Sequence, residues 1–132
     1  MRIDYRNSCE FSPEELQELF LSVEWQSGRY PEKLVVAMRN SGAVFSAWDD
    51  GKLIGLINAL DDKCMTAYVH YLLVNPKYQG KGIGKKLLWL IKEKYKDYPR
   101  IVLISYNRQI GFYQDSGFKA SDDSTPMFRD VF

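Results

Sequence analysis

One stretch, residues 74–88, limits what this chain can fold into more than any other. An apolar run ends at Val74, a turn containing Pro76 follows, and three glycines then alternate with other residues at positions 80, 82 and 84. Apolar residues at positions 83, 87, 90 and 91 recur at helical spacing. The pattern predicts a strand that runs through a glycine-rich turn into the N-terminus of a helix. Free N–H groups and the helix dipole at such a junction can bind an anion.

Spacing excludes the two nucleotide-binding loops that could occupy such a junction. A Walker A loop places Ser or Thr directly after its Gly-Lys pair, but Gly84 and Lys85 are followed by Lys86. A dinucleotide-binding fingerprint, G-x-G-x-x-G, would need a further glycine at position 85 or 87, where the chain has Lys and Leu. The anion that this loop binds is therefore predicted not to be a nucleotide of either class.

The loop does match the pattern Q/R-x-x-G-x-G/A, present here as residues 79–84, with Val74 and Pro76 in front of it. This segment resembles the coenzyme A pyrophosphate loop of the GNAT superfamily of N-acetyltransferases. The resemblance implies acetyl-CoA as cofactor, held by Gln79, Gly80, Lys81, Gly82, Ile83, Gly84 and Lys85. It also implies that the end of the preceding strand binds the pantetheine arm and the acetyl carbonyl through the backbone of Leu72, Leu73 and Val74.

A second motif, residues 112–118, matches the Y-x-x-x-G-F segment that the superfamily carries in the helix after its fifth strand. The resemblance makes Tyr113 the general acid that protonates the departing sulfur, and a phenol with a reference pKa of about 10 does stay protonated at neutral pH. Tyr113 could instead be a packed aromatic beside Phe112 and Phe118. Many family members have a cofactor-binding Asn seven residues before this tyrosine. That position is Tyr106 here, so Asn107, one residue later, is carried over as the cofactor contact.

The acceptor amine must lose a proton, and many family members use a Glu on the strand before the loop. The predicted strand 66–74 contains no carboxylate, but it contains His70, the only histidine of the chain. Two-residue periodicity places Tyr68 and His70 on one face of the strand. A histidine and a tyrosine at these positions are similar to those of the arylalkylamine N-acetyltransferases. We therefore predict His70 as the general base, with a packed, hydrogen-bonded histidine or a water chain as the alternatives.

Acceptor specificity is predicted to come from the first two helices and from the last part of the chain, with Trp25, Tyr30 and Tyr68 as candidate substrate contacts. The Trp25 region and the last segment are loosely similar to the small-amine acetyltransferase subgroup. The predicted function is the transfer of acetyl from acetyl-CoA to a primary amine of a small molecule by direct attack. An acetyl-CoA sensor without turnover and a protein or peptide N-acetyltransferase remain the alternatives.

Composition narrows the classes of partner, cofactor and cellular compartment that remain possible. With 132 residues the chain is expected to form one domain, residues 1–132. A formal net charge of +1 argues against a nucleic-acid partner, and the absence of a long apolar run argues against a membrane segment or a signal peptide. Two cysteines and one histidine without ligand spacing predict no metal site and a cytoplasmic, reduced protein. A homodimer is compatible with the sequence.

The order of predicted elements is β-α-α-β-β-β-α-β-α-β. Three strands between residues 44 and 74 form an antiparallel meander, and a helical crossover then leads to a further parallel strand at 101–104. That strand is almost wholly apolar, which predicts burial on both faces. The tail from Ala120 to Phe132 is predicted to add one or two strands. The class is α/β (α+β) with a mixed central sheet, similar to the GNAT fold.

Overall fold

Five strands form one mixed sheet in the computed structural model, which describes residues 2–131. In spatial order they are β1 (Asp4–Asn7), β2 (Ala43–Asp49), β3 (Lys52–Asp61), β4 (Thr66–Val74) and β5 (Arg100–Leu103). Neighbouring strands are antiparallel from β1 to β4, whereas β5 is parallel to β4. The predicted mixed sheet, with an antiparallel meander and a final parallel strand, is confirmed.

Four α-helices connect and cover the strands: α1 (Pro13–Ser22), α2 (Pro31–Arg39), α3 (Ile83–Lys94) and α4 (Ile110–Gln114). The sequence marks the start of α1 by a capping box, in which the Ser12 hydroxyl accepts the Glu15 N–H and the Glu15 carboxylate accepts the Ser12 N–H. After α4, Gly117 takes φ +96° and the Phe118 N–H donates to the carbonyl of Tyr113, which is the predicted glycine C-cap. No helix within residues 2–131 is long and apolar enough to cross a membrane.

The helices divide between the two faces of the sheet. Helices α1 and α2 cover one face through a core that includes Leu16, Phe20 and Met38. Helices α3 and α4 cover the other face, where Leu87, Leu88 and Ile91 are buried. A β-carbon at Gly55 of β3 would lie only 3.3 Å from the side chains of Ile83 and Leu87, so glycine there allows α3 to pack closely on the sheet.

Two predictions about the end of the chain are wrong. Residues 120–131 form no strand, and Phe132 lies outside the described residues. The segment 121–126 is Ser-Asp-Asp-Ser-Thr-Pro, and the Ser121 hydroxyl bonds to the side chains of Asp123 and Ser124. Such local side-chain bonds compete with strand pairing. As a result β5 is an edge strand that is only half-buried, not a strand buried on both faces.

Candidate active site

The site begins where two parallel strands separate. Pairing between β4 and β5 runs from Thr66 with Arg100 to Val69 with Leu103. Beyond that point β4 continues to Val74, whereas the chain after Leu103 leaves the sheet. The backbone of β4 on this side therefore lacks a strand partner over residues 70–74. The separation opens a cleft of about 590 Å³.

Three-quarters of the predicted site residues line this one cleft. They come from β4, from the glycine loop with the start of α3, from α4 and from the turn after α1: His70, Leu72, Leu73, Val74, Gln79, Gly80, Gly82, Ile83, Gly84, Lys85, Tyr113 and Trp25. The structure thus brings together segments that are far apart in the sequence. The predicted contacts Lys81, Asn107 and Tyr68 are not among the residues that line the cleft, and Tyr30 instead lines a second cavity of about 400 Å³.

The glycine loop exposes its backbone to the cleft. Gly80 and Gly82 adopt φ +79° and +82°, and Gly82 is the N-cap residue of α3. No atom lies within 4 Å of the position where either glycine would carry a β-carbon. The Lys86 N–H makes the first turn's bond to the Gly82 carbonyl, so the N–H groups of residues 83–85 have no partner inside the helix. This arrangement is that of a helix N-terminus open to an anion.

Side-chain hydrogen bonds fix the loop to the strands. The Tyr78 hydroxyl donates to the Asp49 carboxylate at 2.5 Å. The Gln79 amide donates to the Val74 carbonyl at 2.9 Å. Gln79, predicted as a cofactor contact, therefore links the glycine loop to the end of β4 in this structure. The Val74 carbonyl, predicted to bind the pantetheine arm, already accepts this hydrogen bond from Gln79.

His70 occupies an irregular position in β4. Asn58 of β3 pairs with Tyr71 and Ala59 pairs with Val69, so His70 is the extra residue of a β-bulge. Its ring stacks on Tyr71 with centroids 3.9 Å apart, and the centroid of the Tyr68 ring lies 5.5 Å away. The His70 side chain remains partly exposed to solvent, but its partial desolvation lowers its pKa below the ordinary value of 6.5. The imidazole is consequently uncharged at neutral pH, which is the state of a proton acceptor.

Tyr113 is the fourth residue of the short helix α4 and lines the cleft. Its ring makes edge contacts with Phe112 at 5.1 Å and Phe118 at 6.1 Å between centroids. Burial raises the pKa of Tyr113 above 10, because the phenolate would lose solvation. The side chain therefore holds its proton at neutral pH, so packing among aromatic rings and proton donation are compatible roles here.

Several cleft residues were not predicted from the sequence. Tyr106, which occupies the position of the family's Asn, lines the cleft, and so does Arg108, whose guanidinium lies 4.8 Å from the Tyr106 ring centroid. Val23, Tyr78 and Phe112 complete the apolar wall. The sequence signal for Arg108 was a basic residue two positions before the start of α4. Only the return of that segment to the glycine loop shows that Arg108 and Lys85 line the same cleft.

These features fit the cofactor that the sequence implies. A pyrophosphate needs unpaired N–H groups and positive charge, which the start of α3, Lys85 and Arg108 supply. A pantetheine arm needs unpaired strand backbone, which β4 supplies beyond Val69. Acetyl-CoA itself is not part of this structure.

Comparison with known proteins agrees with this geometry. Residues 8–118 match the model of the acetyltransferase (GNAT) family. The fold is similar to that of a GNAT family acetyltransferase from Streptococcus pneumoniae, with a TM-score of 0.85 and 26% identity over 98% of both chains. These matches cover the sheet, the glycine loop and α4.

Relatives identified by sequence differ in their described activities. The chain is 32% identical to an uncharacterised ycf52-like N-acetyltransferase of Prochlorococcus marinus over 79% of this chain and 61% of the relative. It is also 32% identical to a soybean protein described as the histone acetyltransferase TAP1, over 83% of this chain and 52% of the relative. The chain thus spans between half and two-thirds of the length of these relatives, and neither supports the predicted likeness to arylalkylamine acetyltransferases. The family match, the shared fold and the cleft together show that the chain belongs to the GNAT family of acetyltransferases.

Proposed function

We propose that this protein transfers an acetyl group from acetyl-CoA to a primary amine of a small molecule by direct attack. The observation that carries the proposal is the separation of β4 and β5 beyond Val69 and Leu103. It places unpaired strand backbone, the glycine loop, His70 and Tyr113 around one cleft. These are the parts of the chain to which the proposal gives the roles of cofactor binding, proton acceptance and proton donation.

In this proposal the cleft binds the cofactor along its length. The N–H groups of residues 83–85, with Lys85 and Arg108, hold the pyrophosphate, and residues 72–74 orient the pantetheine end. The cofactor supplies the acetyl group in activated form, as a thioester. A backbone N–H aimed at the acetyl oxygen contributes on the order of 10²–10³ in rate when negative charge develops there.

His70 accepts the proton of the attacking amine in this mechanism. Its lowered pKa keeps the imidazole uncharged at pH 7, and it lines the cleft beside Leu72, where the acetyl group is expected. Tyr113 carries a proton on its hydroxyl and donates it to the departing sulfur. Each side chain thus starts in the protonation state that its role requires.

A second cavity gives the acceptor a binding space. It measures about 400 Å³ and is lined in part by Ser27, Tyr30 and Tyr71. Tyr71 also contacts His70 and lies 5.9 Å from the ring of Trp25, and both of these line the cofactor cleft. Residues of one aromatic cluster therefore line both cavities, and the size of the second cavity favours a small acceptor.

A lysine side chain of a protein is the second candidate acceptor. One relative is described as a histone acetyltransferase, and an Escherichia coli relative that is 31% identical over 56% of this chain and 48% of its own length is described as a peptidyl-lysine N-acetyltransferase. A lysine amine would make the same chemical demands on His70 and Tyr113. Binding of acetyl-CoA without turnover is the third reading, because β4 lacks the carboxylate of many family members.

The deciding experiment follows free thiol release from acetyl-CoA with a panel of acceptors. The panel contains small primary amines, lysine-containing peptides and a blank without acceptor, each with and without the protein. The proposal expects acceptor-dependent release with at least one small amine. Release with peptides alone would favour lysine acetylation, and calorimetric binding of acetyl-CoA without release from any acceptor would favour the sensor.

A further inference from the structure

The bulge in β4 determines which residues face the cofactor cleft. Before the bulge, Ala67 and Val69 pack towards α3. After it, Tyr71 and Leu73 pack towards α1 and α2, although strict alternation would place residues 69, 71 and 73 on one face. A one-residue change of register would therefore exchange the two faces of β4 at its acetyl-binding end.

One buried side chain holds this irregularity. Asn58 is 1% exposed and lies on β3 opposite Tyr71. Its Oδ1 accepts the Tyr71 N–H at 2.9 Å, and its Nδ2 donates to the Ser41 hydroxyl at 3.0 Å. The Ser41 hydroxyl in turn donates to the Ala37 carbonyl near the end of α2, at 2.9 Å. Both ends of the Asn58 amide are thus satisfied, as a buried polar group requires.

We propose that Asn58 is the positioning residue that fixes the His70 bulge and thereby orients the acetyl-binding backbone of β4. The physical reason is local. Without the Asn58 oxygen the half-buried Tyr71 N–H would lose its partner, and a ladder partner would be regained if β4 moved out of the bulge. His70 would then leave its stack on Tyr71, and residues 72–74 would rotate relative to the cleft.

Ser41 has a subordinate part in this arrangement. It orients the amide through Nδ2 but does not contact β4 through any hydrogen bond in the described residues. Removing its hydroxyl would free Asn58 to rotate while leaving the acceptor oxygen in place. The effect of Ser41→Ala should therefore have the same direction as that of removing the Asn58 oxygen, and a smaller size.

The first test uses His70 as a probe, because it is the only histidine of the chain and gives one pair of imidazole C–H signals in a proton NMR titration. In Asn58→Leu and Asn58→Ala we expect those signals to lose their ring-current shift and the pKa of His70 to rise towards its ordinary value. Asn58→Asp retains an acceptor oxygen and should keep the ring-current shift, which alone is compared in this variant because a new carboxylate would itself raise the pKa of His70. Leu16→Val, a buried change in α1, controls for lowered stability and should keep both the ring-current shift and the pKa.

The outcome of this test is decisive in either direction. Unchanged His70 signals and pKa in a folded Asn58→Leu or Asn58→Ala protein would overturn the proposal. If neither variant folds, Ser41→Ala decides: a displaced His70 signal supports the role of Asn58, and an unaltered one overturns it.

The second test rests on the proposed acetyl transfer. Asn58→Leu should lower kcat about tenfold or more per folded molecule, whereas calorimetric affinity for coenzyme A should change less than about threefold, because the glycine loop lies elsewhere. A loss of active fraction with unchanged kcat per folded molecule would show a role in stability alone and would contradict the proposal. If the wild-type protein shows no turnover at all, the proposed function fails while the NMR test of Asn58 still stands.

Discussion

At the scale of single residues, the two candidate proton carriers have pKa values displaced in opposite directions. Burial lowers the pKa of His70 and raises that of Tyr113, since burial disfavours the charged form of either group. A histidine is charged when protonated and a tyrosine when deprotonated. Desolvation in one cleft therefore favours the uncharged form of both groups, in which the imidazole can accept a proton and the phenol can donate one.

If His70 is the general base, its protonation should determine how kcat/KM falls at low pH. Because its pKa in the folded protein lies below 6.5, we expect kcat/KM to be constant near pH 7 and to fall as the pH drops through that lowered pKa. His70→Gln should reduce kcat about 10–10²-fold and remove this limb. Rates measured between pH 5 and 8 check both statements. If the variant kept the same acid limb, a group other than His70 would be the base.

If Tyr113 is the general acid, removing its hydroxyl should lower the rate of the chemical step and leave cofactor binding nearly unchanged. Tyr113→Phe keeps the ring among Phe112 and Phe118 but removes the donated proton, so kcat should fall about 10²-fold with coenzyme A affinity nearly unchanged. Tyr98→Phe, a tyrosine that packs on Tyr95 away from the cleft, serves as the matched control. A wild-type rate in Tyr113→Phe would exclude Tyr113 as the acid.

At the scale of elements, the junction of β4 and α3 requires glycine for its conformation and for access to its backbone. Gly82→Ala should weaken coenzyme A binding about tenfold or more, because a residue with a β-carbon disfavours φ +82° and would move the N–H groups at the start of α3. Isothermal calorimetry measures the affinity. Backbone strain at an alanine with positive φ also lowers the stability of the fold. The experiment therefore needs a control glycine with the same φ at a position outside the cleft.

Gly51 in the β2–β3 turn provides this control. Its φ is +79°, and no atom lies within 4 Å of the position of its β-carbon. Gly51→Ala should therefore lower the free energy of unfolding about as much as Gly82→Ala, roughly 1–2 kcal/mol, and leave coenzyme A affinity unchanged. Equal affinity in the two variants would refute the assignment of the loop.

At the scale of the whole molecule, the cleft lies between β4 and the segment that leads from the end of β5 to α4, beyond the last paired residues Val69 and Leu103. A ligand that contacts both sides should stabilise the folded chain as a unit. Coenzyme A at 100 times its Kd contributes about 2.7 kcal/mol, which for a chain of this length should raise Tm by roughly 8–13 °C. Differential scanning fluorimetry measures the shift. Gly82→Ala should reduce it at the same concentration, and a shift that persisted in that variant would place the ligand outside the loop.

The features predicted well from the sequence are those encoded by short, local patterns. The capping box at Ser12 and the glycine C-cap at Gly117 each depend on a few neighbouring residues, and both are present. The glycine loop is also local, because positive φ at Gly80 and Gly82 and the start of α3 follow from consecutive residues. The strands of the meander were predicted to within one residue, since apolar runs bounded by turn residues define them.

The tail and the edge of the sheet could not be predicted in this way. The apolar composition of residues 101–104 suggested burial on both faces, but burial depends on whether a further strand pairs with β5. Residues 120–131 do not pair with it. A segment joins the sheet when pairing with a strand is more favourable than the hydrogen bonds that it makes within itself. Its composition gives information on those local hydrogen bonds but not on the strand that it could pair with.

The sequence by itself indicated the family, the glycine turn that leads into α3 and the candidate acid Tyr113, because each is carried by residues that are contiguous or fixed within one helical turn. Only the tertiary structure decided the bulge at His70, its support by Asn58, and the presence of Arg108 in the same cleft as the glycine loop. Those features depend on pairing between distant segments, where a shift of one residue exchanges the faces of a strand. Local periodicity contains no information about such a shift.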